Sequence, residues 1–156
     1  PSADPFAAVR PGAVAAGELN QEFALLARSM AFDTPLSESE LRLLSGVVRR
    51  KAVTAGEVLV RQGQPAEQGA IVASGLGHMQ YTTPGRSPVE FGEIRQGDII
   101  GECAVGAGGY HGCSVVADTS CVVWTFEASA MADLQRKAPE LGPKLRALLL
   151  GQQSRK

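Results

Sequence analysis

Gly97-Asp98-Ile99-Ile100-Gly101-Glu102-Cys103-Ala104-Val105, continuing as Gly106-Ala107-Gly108-Gly109-Tyr110-His111-Gly112-Cys113-Ser114-Val115-Val116-Ala117, is the stretch from which the fold is read. A short apolar strand runs into Gly-Glu, then one helical turn, then a glycine-rich loop that enters another strand. Such a loop offers several backbone N–H groups to an anion, as a nest or a helix N-terminus does. The adjacent carboxylate can accept hydrogen bonds from a sugar hydroxyl. A glycine-rich loop also serves as a plain turn, and these residues taken alone leave both readings open.

Outward from this stretch, the period is that of short strands. Lys51 to Val53, Val58 to Gln62, Ala70 to Ser74, His78 to Thr83, Val89 to Ile94, Cys113 to Asp118 and Val122 to Glu127 alternate or form short apolar runs. Turn signals separate them: Ala55-Gly56, Gln62-Gly63-Gln64-Pro65, Ser74-Gly75, Thr83-Pro84-Gly85 and Gln96-Gly97-Asp98. Seven short strands with a glycine at each corner predict a sandwich, a jelly roll or a small closed barrel. The 18 glycines are then mostly turn residues with positive φ.

Helices flank the strands. Leu19, Phe23, Leu26 and Met30 fall on one helical face, and Thr34-Pro35 interrupts it. Ser37-Glu38-Ser39-Glu40 is a capping box that opens a second helix with Leu41, Leu44 and Val48 as its apolar face. Arg49-Arg50-Lys51 reads as a basic run at that helix's end, where the dipole favours it. Ala128 to Lys137 is helical again. Pro139 then fits the first turn of a last helix carrying Leu141, Leu145, Leu148 and Leu149. The expected organisation is a linker or arm over 1–17, helices over 18–50, a β-roll over 51–127 and helices over 128–156.

Composition narrows the function. Fifteen basic and sixteen acidic residues nearly cancel, which argues against nucleic acid or an acidic membrane as partner. Three cysteines, Cys103, Cys113 and Cys121, form neither an even disulfide set nor a CxxC pair, so a reducing cytoplasmic setting is expected. No run reaches the roughly 18 apolar residues of a membrane span, and no secretory leader opens the chain. It starts at Pro1, and is expected to be one part of a larger protein. No Ser/His/Asp set, metal cluster or nucleotide-hydrolysis loop points to an enzyme.

The stretch from about Leu41 to Leu150 resembles the cyclic-nucleotide-binding domain family, to which the catabolite activator protein and protein kinase A regulatory subunits belong. The landmarks are Ala55-Gly56-Glu57-Val58-Leu59-Val60-Arg61-Gln62-Gly63, Ile71-Val72-Ala73-Ser74-Gly75, Gln96 to Glu102, and Cys113 to Ala117, matching in order and spacing. The resemblance implies a mainly β fold with flanking α: an eight-stranded antiparallel β-roll between N- and C-terminal helices. It also implies a phosphate-binding cassette. Gly101 and Glu102 match a Gly-Glu pair whose Glu accepts the ribose 2′-hydroxyl, while Gly112, Cys113 and Ser114 match residues supplying backbone and hydroxyl donors. The family's phosphate-binding arginine falls nine residues after that Glu, where this chain has His111.

A guanidinium is permanently charged and presents a planar fork, whereas imidazole near its reference pKa is mostly neutral at pH 7. The expectation is therefore a cyclic-nucleotide-binding-like regulatory domain with a degenerate cassette, weak or no cAMP or cGMP binding, and no other cofactor. Two alternatives stand beside it: a working cyclic-nucleotide or small-anion sensor, and a purely structural or protein-contact barrel. On the plain reading, Glu102 is a surface carboxylate at a helix start, His111 a solvated loop residue, and Cys103 and Cys113 small apolar groups rather than redox sensors. The expected partners are other domains of the parent, with self-association through the terminal helices as a further option. Gly97 to Asp118 with Ala138-Pro139-Glu140-Leu141 also resembles the C-terminal modules of sulfate-permease-type transporters, which implies a membrane transporter as parent.

Overall fold

The computed structural model describes residues 19–106 and 108–155; the expected arm over 1–17 lies outside them. The first helix, α1 (Gln21–Ser29), opens where the Asn20 side chain accepts the Phe23 N–H at 3.1 Å. The second, α2 (Glu38–Ser45), opens on the capping box. Ser37 Oγ accepts the Glu40 N–H at 3.1 Å, and Glu40 Oε1 accepts the Ser37 N–H at 2.8 Å.

Arg49-Arg50-Lys51 does not close that helix. The Gly46 N–H reaches the carbonyls of Arg42 and Leu43 and ends α2, which leaves the chain extended from Arg49. There it forms β1 (Arg49–Val53), paired with the last strand, and Arg50 Nε donates to Glu22 at 2.8 Å. The basic run thus ties a strand to α1 instead of facing a helix dipole.

The remaining strands are β2 (Val58–Val60), β3 (Gln68–Ser74), β4 (Gly77–Tyr81), β5 (Val89–Ile94), β6 (Ile99–Ile100), β7 (Ser114–Ala117) and β8 (Cys121–Glu127). They pair antiparallel in two four-stranded sheets, β1-β8-β3-β6 and β2-β7-β4-β5. The mainly β architecture with flanking helices is the expected one. β6 is the short apolar strand expected to run into Gly101-Glu102; its two residues are recognised as an apolar run, since they are too few to alternate. Glycines at all the turn signals quoted above take positive φ. Positive φ does not account for Gly69 or Gly77: a Cβ on Gly69 would lie 2.5 Å from the Phe126 ring, and one on Gly77 2.6 Å from the Val116 carbonyl oxygen.

In the first sheet β3, β6 and β8 are buried on both faces, which is why they read as near-continuous apolar runs, whereas the edge strand β1 is mostly exposed. Ala70, Val72, Ile100 and Val123 face the barrel interior with Ile94 and Val115. Ile71, Ile99, Trp124 and Phe126 face the helices, against Phe23, Leu44 and Met131. The Phe23 and Trp124 rings meet edge to face, centroids 5.5 Å apart.

After β8 come α3 (Ala128–Lys137) and α4 (Leu141–Arg155). Pro139 is not in the last helix but in the turn before it, closed by the Leu141 N–H on the Ala138 carbonyl at 3.0 Å. Pro143 occupies the first turn of α4 instead, where a missing N–H removes no helical hydrogen bond. Leu141, Leu145 and Leu148 are buried. Between them Lys144 Nζ meets the buried Glu40 Oε1 at 2.6 Å and the Pro35 carbonyl at 3.0 Å, so α4 is bolted to α2.

The second sheet carries a polar cluster. His78 Nδ1 lies 2.7 Å from Asp118, and its Nε2 lies 3.2 Å from Gln80 and 3.4 Å from Glu90; Glu93 is its register partner on β5. Burial alone would lower the His78 pKa, but the Asp118 and Gln80 hydrogen bonds and the charges of Asp118 and Glu90 outweigh it and raise it above 6.5. A raised histidine pKa stabilises the fold fully below the unfolded value, about 6.5, and this contribution is lost as pH rises through the folded value. Urea unfolding of the wild type and His78→Gln at stepped pH is expected to show the stability gap narrowing above that window. A gap independent of pH would contradict the assignment.

Candidate functional site

The cavity at one end of the barrel has a volume of about 420 Å³, inside the roughly 300–1,000 Å³ range of small-molecule sites. Val60, Met79, Ile94, Ile100 and Val115 line its apolar part, and Phe91 stands at its edge. Its other wall is built from the cassette-like stretch.

Gly101 begins that wall with φ +74, and a Cβ there would lie 3.1 Å from both the Gln68 carbonyl oxygen and His111 Cε1. Only glycine takes this conformation without strain in so narrow a gap. The left-handed turn ends β6 and starts the 3₁₀ turn Glu102–Ala104, which leaves the Glu102 residue exposed at the cavity wall. The glycine-rich loop beyond it is stapled to the turn at 62–66. Gly63 N–H donates to the His111 carbonyl at 2.8 Å, His111 N–H to the Gln64 carbonyl at 2.9 Å, and Ala66 N–H to the Gly109 carbonyl at 2.8 Å.

These staples turn His111 inward. It is 8 % exposed, against the plain expectation of a solvated loop residue. Burial pushes its pKa below the ordinary 6.5, and the nearby Glu102 charge offsets part of the shift without reversing it. The imidazole is therefore neutral at neutral pH.

Gly101, Glu102, His111, Gly112 and Cys113 all line the cavity together. Ser114 does not line it. Its hydroxyl accepts the Gln62 N–H at 2.9 Å and holds the start of β7 to the end of β2. Cys113 is half-buried and Cys121 is buried in the barrel; the Cys103 side chain lies outside the described residues.

Among the described residues lining the cavity there is no Lys or Arg. Arg86 is exposed in the β4–β5 turn, and Arg95 borders a separate polar groove with Gln96, Gly97 and Asp98.

Sequence reasoning missed Gln152. From α4 its Oε1 accepts the Ile99 N–H and its Nε2 donates to the Ile99 carbonyl, both at 2.8 Å. The side-chain amide thereby supplies the partners that edge strand β6 would otherwise take from another strand. It also places α4 over the cavity, which Gln152 lines. Its only precursor in the sequence is a polar residue just past a leucine-rich helix, and nothing there names Ile99 as partner.

The family profile described as "Cyclic nucleotide-binding domain" matches residues 50–138, more than half of the 156 residues. An "Uncharacterized NTE family protein" of Mycobacterium tuberculosis is 30 % identical over 114 residues, which is 73 % of this chain and 19 % of that protein. The chain thus spans about a fifth of the curated relatives it matches. A cyclic nucleotide-binding domain from Methylobacillus flagellatus KT superposes with a TM-score of 0.72 at 21 % identity, covering 86 % of this chain and 75 % of that one. A cAMP-binding acyltransferase from Mycobacterium smegmatis superposes with a TM-score of 0.60 at 28 % identity, covering 76 % of this chain and 36 % of that one. With the β-roll, its flanking helices and the cavity behind Gly101-Glu102 in place, the chain belongs to the cyclic nucleotide-binding domain family.

Proposed function

We propose that this domain is a regulatory module of a larger protein whose cavity grips cyclic nucleotides weakly or not at all. The observation that carries the reading is the buried, neutral His111 in a cavity wall without Lys or Arg among the described residues. A cyclic phosphodiester entering there meets the Glu102 carboxylate and no cation to offset it. A charge-assisted hydrogen bond to phosphate contributes about 1.5–3 kcal/mol, so its absence weakens binding by about one to two decades.

The output element is α4. It lies over the cavity through Gln152 and is tied to α2 through Lys144, so a change in the cavity is felt at the terminal helices. Relatives that carry this kind of domain as a minor share of their length, one of them an acyltransferase, favour an enzyme as the neighbouring region over the sulfate-permease-type transporter expected from Gly97 to Asp118. Among the described residues no helix is long and apolar enough to cross a membrane.

A thermal-shift series with cAMP, cGMP, phosphate and sulfate tests the reading. A ligand that binds the native state raises the melting temperature with its concentration. The expected result is a flat response for all four at concentrations that saturate ordinary members of the family; a dose-dependent rise with cAMP or cGMP overturns it.

A further inference from the structure

The cavity is not merely short of a cation; its polar groups form a set of their own. Glu102 is its only formally charged side chain among the described residues, and a carboxylate only accepts hydrogen bonds. Neutral His111 offers one acceptor nitrogen and one N–H donor, and brings no charge to offset Glu102. The Gln152 amide is already committed at both ends to Ile99. The net charge on the lining among the described residues is thus negative and sits on Glu102, so the complementary ligand group is a cation that donates N–H bonds to it.

Most of the remaining lining is apolar. Met79, Phe91 and Ile94 belong to this apolar lining, and the β4–β5 pair to which Met79 and Phe91 belong carries further apolar groups. Phe91 sits in the bulge of that pair, where Met79 faces Gly92 and Gln80 faces Glu90. Val89, two residues before it, pairs with Tyr81. Phe91, Val89 and Tyr81 are all exposed although large and apolar. Exposed apolar groups continuous with a cavity mark where an apolar ligand body lies.

We propose that the cavity takes an apolar organic amine, its ammonium group on Glu102 and its hydrocarbon body against Met79 and Phe91. This rests on the reading that the cavity has lost its grip on phosphate, and it adds the ligand class that the remaining groups select. A carboxylic acid of the same skeleton is rejected by Glu102, and the neutral alcohol falls between.

The test is a titration of the whole chain with 4-phenylbutylamine, 4-phenylbutanol, 4-phenylbutyrate and cAMP, followed by NMR of the Met79, Ile94, Ile100 and Val115 methyl groups. The amine is expected to move these resonances saturably, with the carboxylate at least tenfold weaker. Glu102→Gln, at an exposed position, is expected to weaken the amine roughly tenfold and leave the alcohol unchanged. Methyl resonances remote from the cavity report whether that variant is folded. Carboxylate binding as tight as the amine, an amine affinity untouched by Glu102→Gln, or no binding of any phenylbutyl probe overturns the inference. Tight cAMP binding instead overturns the reading beneath it, and weak cAMP with no amine binding leaves that reading standing while this one falls.

Discussion

Replacing Lys144 with methionine is expected to lower the folding free energy by about 3–5 kcal/mol, the cost of breaking a buried ion pair from one side. Lys144 and Glu40 have side chains only 12 % and 6 % exposed, and their 2.6 Å contact joins α4 to α2. Methionine keeps the aliphatic stem but leaves Glu40 buried beside its helix cap without a cation. For Glu40, burial by itself raises the pKa, and the Lys144 hydrogen bond, the Ser37 backbone hydrogen bond and the Lys144 charge more than reverse this. The net value lies below the ordinary 4.5, so the pair's stabilisation is present above that pH and is lost as pH falls through the lowered value. Without Lys144 the loss moves to higher pH.

Small domains are stable by roughly 5–15 kcal/mol, so this one change removes a large part of the total. Urea unfolding at pH 7 and pH 5 measures it. A loss under about 1 kcal/mol would place the pair with ordinary surface ion pairs and contradict its assignment as the bolt between the terminal helices. Glu40→Gln combined with Lys144→Met is expected to recover part of the loss, because the stranded charge is gone while the cap's carbonyl acceptor remains.

The second large effect concerns the ligand. His111→Arg is expected to tighten cAMP binding by about one to two decades, since it restores a fixed cation beside Glu102. The same variant is expected to melt lower than the wild type when no nucleotide is present. A guanidinium at a position 8 % exposed is a buried charge, partnered only in part by the exposed Glu102 carboxylate. Cyclic nucleotide would then restore its melting temperature in proportion to occupancy. Calorimetry and thermal unfolding of the variant check both halves. A His111→Arg protein that folds normally and still ignores cAMP would mean that the cavity's shape, and not its missing charge, excludes the nucleotide.

Why some of this was legible in the sequence and some was not has physical reasons. In Cys121 to Glu127, Cys121 and Val123 face the barrel while Trp124 and Phe126 face the helices, so both faces are apolar and the strand is marked by a near-continuous apolar run. Ser37 and Glu40 are three residues apart, and a local device such as a capping box can be read from spacing alone. Arg49 to Lys51 misled because a basic run after a helical face suits a helix end as well as an edge strand. Only the pairing with β8, more than seventy residues away, decides between them.

The site divides along the same line. Gly101 and Glu102 belong to one contiguous motif, Gln96 to Glu102, on which the family resemblance rests, and both line the cavity as it implies. Ser114 was placed with them by position, but its hydroxyl is spent on Gln62 across the strand pair. The burial of His111 follows from backbone staples to the turn at 62–66, and the Gln152 bridge to Ile99 spans 53 residues. Neither leaves a trace in the local pattern.

Everything functional here turns on whether a neutral imidazole holds the place of a phosphate grip. The direct measurement is a calorimetric titration of the wild-type chain with cAMP and with cGMP at neutral pH. Neither nucleotide is expected to reach sub-micromolar affinity; a sub-micromolar dissociation constant for either one would contradict the loss of that grip.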